Sequence, residues 1–179
     1  MVIEAAGGLI SGSLALLADA GHMLSDATAI LFSLIAVQIG RREATGRHTY
    51  GVRRAEFLAA FVNAIELVAL AVWIVTEAVE RFGDPRPILS GVMLWVALAG
   101  LVVNLAALRL LHGHAAGNLN LRSALWHIMG DLLGSIGAVA AALISWFTGW
   151  TTIDPLLSIA IATLIGLAGA RNLYDSANL

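Results

Sequence analysis

Two hydrophobic segments of the chain each carry a histidine followed four residues later by an aspartate. The first pair is His22 and Asp26, and the second is His127 and Asp131. Residues at positions i and i+4 share one face of an α-helix, so each segment presents an imidazole and a carboxylate in the same direction. Two such faces turned toward each other form a site with two nitrogen and two oxygen ligands. A bound divalent cation is the simplest explanation for that combination.

The composition places these pairs in a membrane. Of 179 residues, 59% are hydrophobic and only 12% are charged, and the mean hydropathy is +0.87. A soluble domain of this length has far less apolar surface. An ionisable group at the bilayer centre costs about 2.5 to 3.5 kcal/mol on insertion scales, so four at matched positions require a function. Because the chain has no cysteine, metal ligands must be His, Asp, Glu or backbone oxygen.

Five apolar runs are long enough to cross the hydrocarbon core, which needs about 20 residues per helix. We predict an all-α integral membrane protein with a shorter apolar segment at residues 1–10 and full spans at 14–40, 55–82, 88–111, 119–148 and 154–174. Glycine, proline and serine residues break the chain between the spans. Thr152 or Asp154 is predicted to cap the last helix.

The arginines set the predicted orientation. On one side of this threading lie only Arg81 and Arg86, and on the other lie Arg41, Arg42, Arg47, Arg53, Arg54, Arg109, Arg122 and Arg171. The positive-inside rule makes the arginine-rich side cytoplasmic. We therefore expect a multi-pass protein of a bacterial cytoplasmic membrane with its C-terminus inside.

The depth of the two pairs is compatible with one shared site. His22 lies eight residues from the outer end of its predicted helix, and His127 lies eight from the inner end of its own. At 1.5 Å per residue each is about 12 Å deep, so antiparallel helices can bring the pairs level. The spacing Gly130-x-x-x-Gly134 predicts a surface where a neighbouring helix backbone approaches closely.

Three stretches closely resemble the zinc-transporting branch of the cation diffusion facilitators: 11–26, the loop His48-Thr-Tyr-Gly, and 118–131. The resemblance covers nearly the whole chain. It implies a six-helix transmembrane bundle with a midmembrane Zn²⁺ site between the second and fifth helices. It also implies export of Zn²⁺ as the transported substrate in exchange for protons, and a cytoplasmic C-terminal domain through which the full-length protein dimerises. The ligands implied by motif position are His22, Asp26, His127 and Asp131.

The chain departs from the family pattern in ways that limit these expectations. The first helix is largely missing, and the chain ends where the last helix leads into the cytoplasmic domain, so residues 1–179 are expected to be a transmembrane domain alone. No second metal site is expected in the basic loop, because only His48 remains there and Val52 replaces another histidine. His112 and His114 are interpreted as a solvated loop, with cytoplasmic metal capture as the alternative.

Several other polar residues lie inside the predicted spans, and two of them have more than one interpretation. Asp19 precedes His22 by three residues and is either a proton relay or outer-shell partner of the ligands, or a carboxylate stabilised by the helix dipole. Asn63 and Asn104 are expected to form interhelical hydrogen bonds. Glu66 is either part of an ion path or a structural group.

Two imidazoles and two carboxylates favour tetrahedral Zn²⁺ over Mg²⁺ or Ca²⁺, which prefer all-oxygen shells. Cd²⁺, Co²⁺ and Ni²⁺ suit the same ligands. The expected partners are divalent metal ions, protons and the lipid bilayer, without nucleic acid or enzymatic activity. Two other classes stay open: a haem-binding electron carrier using the paired histidines, and a structural membrane subunit whose buried charges pair with each other.

Overall fold

The computed structural model describes residues 1–40, 49–112 and 119–177. In these ranges the chain forms α1 (Val2–Ser11), α2 (Leu14–Gly40), α3 (Thr49–Gly83), α4 (Ser90–His112), α5 (Leu119–Thr148) and α6 (Ile153–Ala177), with no strand. Five of the helices, α2 to α6, are long and apolar enough to cross a membrane, whereas α1 has 10 residues. The predicted all-α membrane bundle with a short first helix is confirmed.

The apolar runs locate each helix correctly but do not give its exact ends. The helix expected at 55–82 extends over Thr49–Gly83. Its first turns contain Arg53, Arg54 and Glu56, charged residues that end an apolar run but are good helix formers. Hydrophobicity therefore locates the part of a helix inside the bilayer, whereas the helix itself continues into the polar region.

The bundle has two different ends. At one end lie the short connections at 12–13, 84–89 and 149–152, and we call this the three-turn end. The opposite end, which we call the loop end, holds the segments 41–48 and 113–118. The described residues do not include His48, His114 or most of the basic loop, and they do not include the side chain of His112. The expectations stated for these residues are therefore untested.

Helix α2 packs between two helix pairs. Helix α3 packs along α6, α4 packs along α5, and α2 contacts α3 and α6. Ala15 and Leu16 of α2 belong to a buried core with α4 and α5, while Leu14 and Ala18 belong to a second core with α3 and α6. Both cores precede His22 on α2. The best-packed part of α2 therefore lies between His22 and the three-turn end.

Helix α6 approaches the backbone of α3 closely at Gly169. A Cβ atom at this position would lie 2.9 Å from Cβ of Leu67 and 3.2 Å from the carbonyl oxygen of Ala64. Since the second neighbour is backbone, it cannot move aside as a flexible side chain does. The glycine is what allows α6 to lie against α3 at this level.

The close approach predicted at Gly130 and Gly134 is not found. Among the described residues, a Cβ at Gly130 would meet nothing within 4 Å, and one at Gly134 would meet only Oδ1 of Asp19 at 3.9 Å. Helix α5 packs mainly along α4, and its contact with α2 is slight. Gly130 and Gly134 thus leave space beside the histidine and aspartate pairs and do not bring two backbones together.

We expect Gly169→Ala to lower the thermal melting temperature of the purified protein, with a cost of about 1 to 3 kcal/mol for an added carbon in a filled space. Gly130→Ala is the matched control. It adds the same methyl group to a helix with room for it, and alanine is the better helix former. Equal melting temperatures for the two variants would contradict the α3–α6 packing described above.

Candidate metal site

Helices α2 and α5 bring the two histidine and aspartate pairs together. Within each helix, Nε2 of His22 lies 3.5 Å from Oδ2 of Asp26, and Nε2 of His127 lies 3.6 Å from Oδ2 of Asp131. Between the helices, Nε2 of His127 lies 3.2 Å from Oδ2 of Asp26. The imidazole ring centres are 5.6 Å apart, with the ring planes inclined by 59°. Of the four residues singled out by their spacing, His22, His127 and Asp131 form one group that could hold a metal ion, and Asp26 contacts both histidines without belonging to that group.

The separations suit a small tetrahedral cation. Zinc bonds of 2.0 to 2.1 Å at tetrahedral angles place neighbouring ligand atoms about 3.3 Å apart. Three of the ligand pairs lie at 3.2, 3.5 and 3.6 Å. In addition, His22, His127 and Asp131 each offer a ligand atom within 4.8 Å of one another. A cation could be held with small side-chain adjustments, and two carboxylates with neutral imidazoles would balance its double charge.

One ring nitrogen of the site has no partner. Nδ1 of His22 is buried and makes no hydrogen bond to any of the described residues. A metal-binding histidine usually donates its second ring N–H to a carboxylate, carbonyl or water, which fixes the ring orientation. The ring of His22 lacks that support here, so its orientation depends on Asp26 and on whatever occupies the site.

Burial changes at the level of the site. No described side chain of α5 before Ser135 is buried, whereas Ser135, Ala138, Ala141, Ala142 and Ser145 all are. The side chain of His127 is 47% exposed, while that of Asp131, one turn nearer the three-turn end, is 13% exposed. Packed side chains of α5 thus close the site toward the three-turn end, and Asp131 is better buried than His127.

Asp19 lies close to the site without belonging to the group of metal-binding side chains. It is partly buried, and its Oδ1 atom faces Gly134 of α5, three residues after Asp131. Helix α2 begins at Leu14 and has no acidic residue in its first turn. The helix dipole acts mainly within that turn, so the dipole interpretation of Asp19 loses its support. Its position beside Gly134 favours an outer-shell role.

Both intramembrane asparagines make the interhelical hydrogen bonds expected of them. The hydroxyl of Ser25 donates to Oδ1 of Asn63 at 2.6 Å, which joins α2 to α3. Nδ2 of Asn104 donates to Oγ of Ser135 at 3.0 Å, which joins α4 to α5. Both serines are buried. Glu66, by contrast, is exposed and is not one of the clustered metal-binding side chains.

Asp154 was one of two residues expected to cap α6, the other being Thr152, but the carboxylate of Asp154 binds the start of α2. It accepts hydrogen bonds from Oγ of Ser13 and from the backbone N–H groups of Leu14 and Ala15. Sequence spacing did not reveal this contact, because it joins positions about 140 residues apart. The only sequence signal was the pairing of Ser-Gly-Ser and Asp-Pro at predicted helix starts, which does not identify a partner.

A family model described as the cation efflux transmembrane domain matches residues 1–179. The zinc transporter ZitB of Escherichia coli is 55% identical over 179 residues, which cover 99% of this chain and 57% of ZitB. The cadmium, cobalt and zinc/H(+)-K(+) antiporter of Bacillus subtilis is 42% identical over 181 residues, which cover 100% of this chain and 58% of the antiporter. The metal cation efflux system protein CzcD of Cupriavidus metallidurans is 42% identical over 167 residues, which cover 93% of this chain and 52% of CzcD. The chain spans little more than half the length of these relatives.

Alanine at His22 or Asp131 should weaken zinc binding by more than the about 10- to 100-fold that loss of an outer-shell partner costs, because each substitution removes a direct ligand. The measurement is a zinc isotherm on purified protein, with circular dichroism to show that the helices persist. Asp84→Ala is the control, since Asp84 is an exposed acid at the three-turn end. Wild-type affinity in either ligand variant would rule out the proposed site.

Proposed function

Because this chain belongs to the cation diffusion facilitator family, we propose that it carries Zn²⁺ out of the cytoplasm through a site formed by His22, Asp26, His127 and Asp131. The observation that supports this most is the meeting of the two His-x-x-x-Asp pairs, since Nε2 of His127 on α5 lies 3.2 Å from Oδ2 of Asp26 on α2. Each of these groups is costly in a membrane. A transported divalent cation explains why all four are present and why they face one another.

The choice of zinc follows from the ligand types. Imidazole nitrogen suits Zn²⁺ and its borderline-soft neighbours, whereas Mg²⁺ and Ca²⁺ prefer oxygen in six or more positions. Two of the relatives carry zinc in their names, and one of these also names cadmium and cobalt. We therefore propose Zn²⁺ as the main substrate, with Cd²⁺ and Co²⁺ as further substrates.

Proton exchange follows from the chemistry of the same ligands. Histidine binds a metal only when its ring nitrogen is unprotonated, so protons and Zn²⁺ compete for the site. An imidazole with an ordinary pKa of about 6.5 changes charge within the physiological range. A more acidic exterior thus favours release of the metal outside and return of protons to the cytoplasm. The name of the Bacillus subtilis relative includes H(+) and K(+) antiport.

We assign the loop end to the cytoplasm of a bacterial cell, following the arginine distribution, and the three-turn end to the exterior. In this orientation the packed side of the site, which begins at Ser135 on α5, faces outward. That arrangement fits a site that is closed to the exterior. From the family resemblance we also propose that the full-length protein has a cytoplasmic domain through which it dimerises.

The geometry gives less support to the two other classes. In a bis-histidine haem site the porphyrin iron lies between the two imidazole nitrogens. Here Oδ2 of Asp26 lies within 3.5 Å of Nε2 of His22 and 3.2 Å of Nε2 of His127, in the space that the porphyrin would need. A purely structural role for the cluster would be favoured by protein that binds no zinc and gains no thermal stability when zinc is added.

Metal choice is tested by His127→Asp, which converts the site to one imidazole and three carboxylates. This harder ligand set should move the preference from Zn²⁺ and Cd²⁺ toward Mn²⁺ or Fe²⁺. The measurement is competition between Zn²⁺ and Mn²⁺ on the purified variant and the wild type. An unchanged preference would mean that His127 does not select the metal.

Proton coupling is tested by the pH dependence of zinc binding. Between pH 7.5 and 5.5 the unprotonated fraction of an imidazole with a pKa of 6.5 falls about tenfold, so two histidine ligands predict a loss of affinity of about 100-fold. Calorimetry in buffers of different ionisation enthalpy should also detect protons released on binding. Affinity that is flat over this range, without proton release, would contradict ligation by the histidines.

The whole activity is tested with the full-length protein in proteoliposomes. We expect a proton gradient that is acid on the three-turn side to drive Zn²⁺ toward that side, because protonation there displaces the metal. A variant with alanine at both His22 and His127 is the control. Zinc movement that ignores the gradient in the wild type would argue against antiport.

A further inference from the structure

A second polar cluster lies at the three-turn end, apart from the metal-binding residues. Its central group is Asp154 of α6, whose side chain is 0% exposed. Its carboxylate accepts three hydrogen bonds, from Oγ of Ser13 at 2.5 Å, from the N–H of Leu14 at 2.8 Å and from the N–H of Ala15 at 3.3 Å. The two N–H groups belong to the first turn of α2, where no intrahelical acceptor is available. Asp154 therefore caps a different helix from its own.

The turn that precedes α2 is also bound from two other helices. Nη1 of Arg81, on α3, donates to the carbonyl oxygen of Gly12. The backbone N–H of Leu89, just before α4, donates to the carbonyl oxygen of Ser11 at 2.9 Å. Gly12 itself has a φ of +76°, a conformation that other residues rarely adopt. Helices α3, α4 and α6 thus converge on one tight turn.

Arg81 is itself fixed by ionic contacts. Its Nε atom lies 3.2 Å from Oε1 of Glu77, which also lies 2.8 Å from Nη1 of Arg86. Arg81 is buried, whereas Arg86 is exposed. The cluster therefore extends from the surface of the three-turn end to the buried carboxylate of Asp154. The attraction between its carboxylates and guanidinium groups offsets part of the cost of burying these charges.

The position of this cluster relative to the site suggests what it does. Leu14, Ala15, Leu16 and Ala18 of α2 fill the two apolar cores that separate His22 from the three-turn end. Two of these residues, Leu14 and Ala15, are held by hydrogen bonds from their backbone N–H groups to Asp154. If the start of α2 moved away from α6, the cores would separate and water would reach His22, which is eight residues, or about 12 Å, from Leu14. Apolar contacts alone would permit small sliding movements of α2, whereas the hydrogen bonds to Asp154 require particular distances and angles.

We propose that Asp154 and Arg81 form a latch that keeps the three-turn side of the site closed, and that the site opens to this side when the latch releases the start of α2. The inference rests on the proposed transport function, since it assigns the latch to one of the two access states that transport requires. Release exchanges buried hydrogen bonds for bonds to water near the membrane surface. Water solvates carboxylate and guanidinium groups well. Breaking these hydrogen bonds near the membrane surface therefore costs less than leaving polar groups without partners in the bilayer centre.

The test uses thiol labelling, which the absence of cysteine in this chain makes free of background. The reporter is Ser135→Cys, a near-isosteric change at a side chain that is 3% exposed and lies four residues beyond Asp131. A membrane-impermeant maleimide is added to one side of vesicles that contain the protein. Gly83→Cys in a separate sample identifies the three-turn side, since a side chain there meets no described atom within 4 Å.

Asp154→Asn, combined with the reporter, removes the charge and one acceptor position while keeping the size of the side chain. We expect labelling of the reporter from the three-turn side to become about tenfold faster or more. Loss of one hydrogen bond to a charged group should shift the equilibrium between the closed and open forms by about a factor of ten. Asp84→Asn is the matched control, an exposed acid at the same end of the bundle. It should leave the labelling rate unchanged.

Ser13→Ala provides a second route if Asp154→Asn does not fold. It removes one donor to the same carboxylate and leaves the two backbone hydrogen bonds, so labelling should rise by a smaller factor. Labelling that stays at the wild-type rate in every folded latch variant would overturn the latch. Zinc isotherms on the same samples separate the two proposals: normal zinc binding with unchanged labelling refutes the latch alone, whereas no zinc binding in the wild type refutes the transport site.

Discussion

The position of α2 is the constraint on which the rest of the structure depends. This helix carries His22 and Asp26, and it lies between the α3–α6 pair and the α4–α5 pair. Two apolar cores hold its first turns from both sides, and the carboxylate of Asp154 fixes where the helix begins. An α-helix is stiff along its axis, so a fixed start also sets the depth of the side chains two turns later. The geometry of the metal site is therefore partly decided at the three-turn end.

The polar groups of the bundle follow the rule that a membrane interior imposes. Hydrocarbon offers no hydrogen-bond partners, so polar side chains inside the bilayer bind one another. Ser25 binds Asn63 and Ser135 binds Asn104, each across a helix interface. These bonds join α2 to α3 and α4 to α5, the same helix neighbours that the apolar cores bring together. The imidazole of His22 departs from the rule, because its buried Nδ1 atom has no partner among the described residues. A departure of this kind is typical of a site that acts on a ligand.

The slight contact between α2 and α5 fits the proposed transport better than it fits a rigid metal site. Toward the three-turn end the helices are tightly packed, while α2 and α5 have only slight contact with each other. Ligands carried by two helices that touch lightly can separate at small cost, and a bound cation can draw them together. A structural zinc site, by comparison, has a closed shell on a rigid scaffold. The arrangement thus combines a tightly packed three-turn end with candidate ligands that remain able to adjust.

The sequence by itself determined the spans and the all-α class, and it singled out the four residues of the proposed site. These depend on local properties: the length of an apolar run, and the four-residue spacing that places His22 with Asp26 and His127 with Asp131 on one helix face. The sequence did not determine which helix each polar group would bind. Asp154 was expected to cap α6 but caps α2, and Gly130 was expected to admit a neighbouring backbone but faces open space, whereas Gly169 has that role. Only the tertiary structure decided these points, because they depend on which surfaces meet between residues far apart in the chain, and helical periodicity carries no information about the partner.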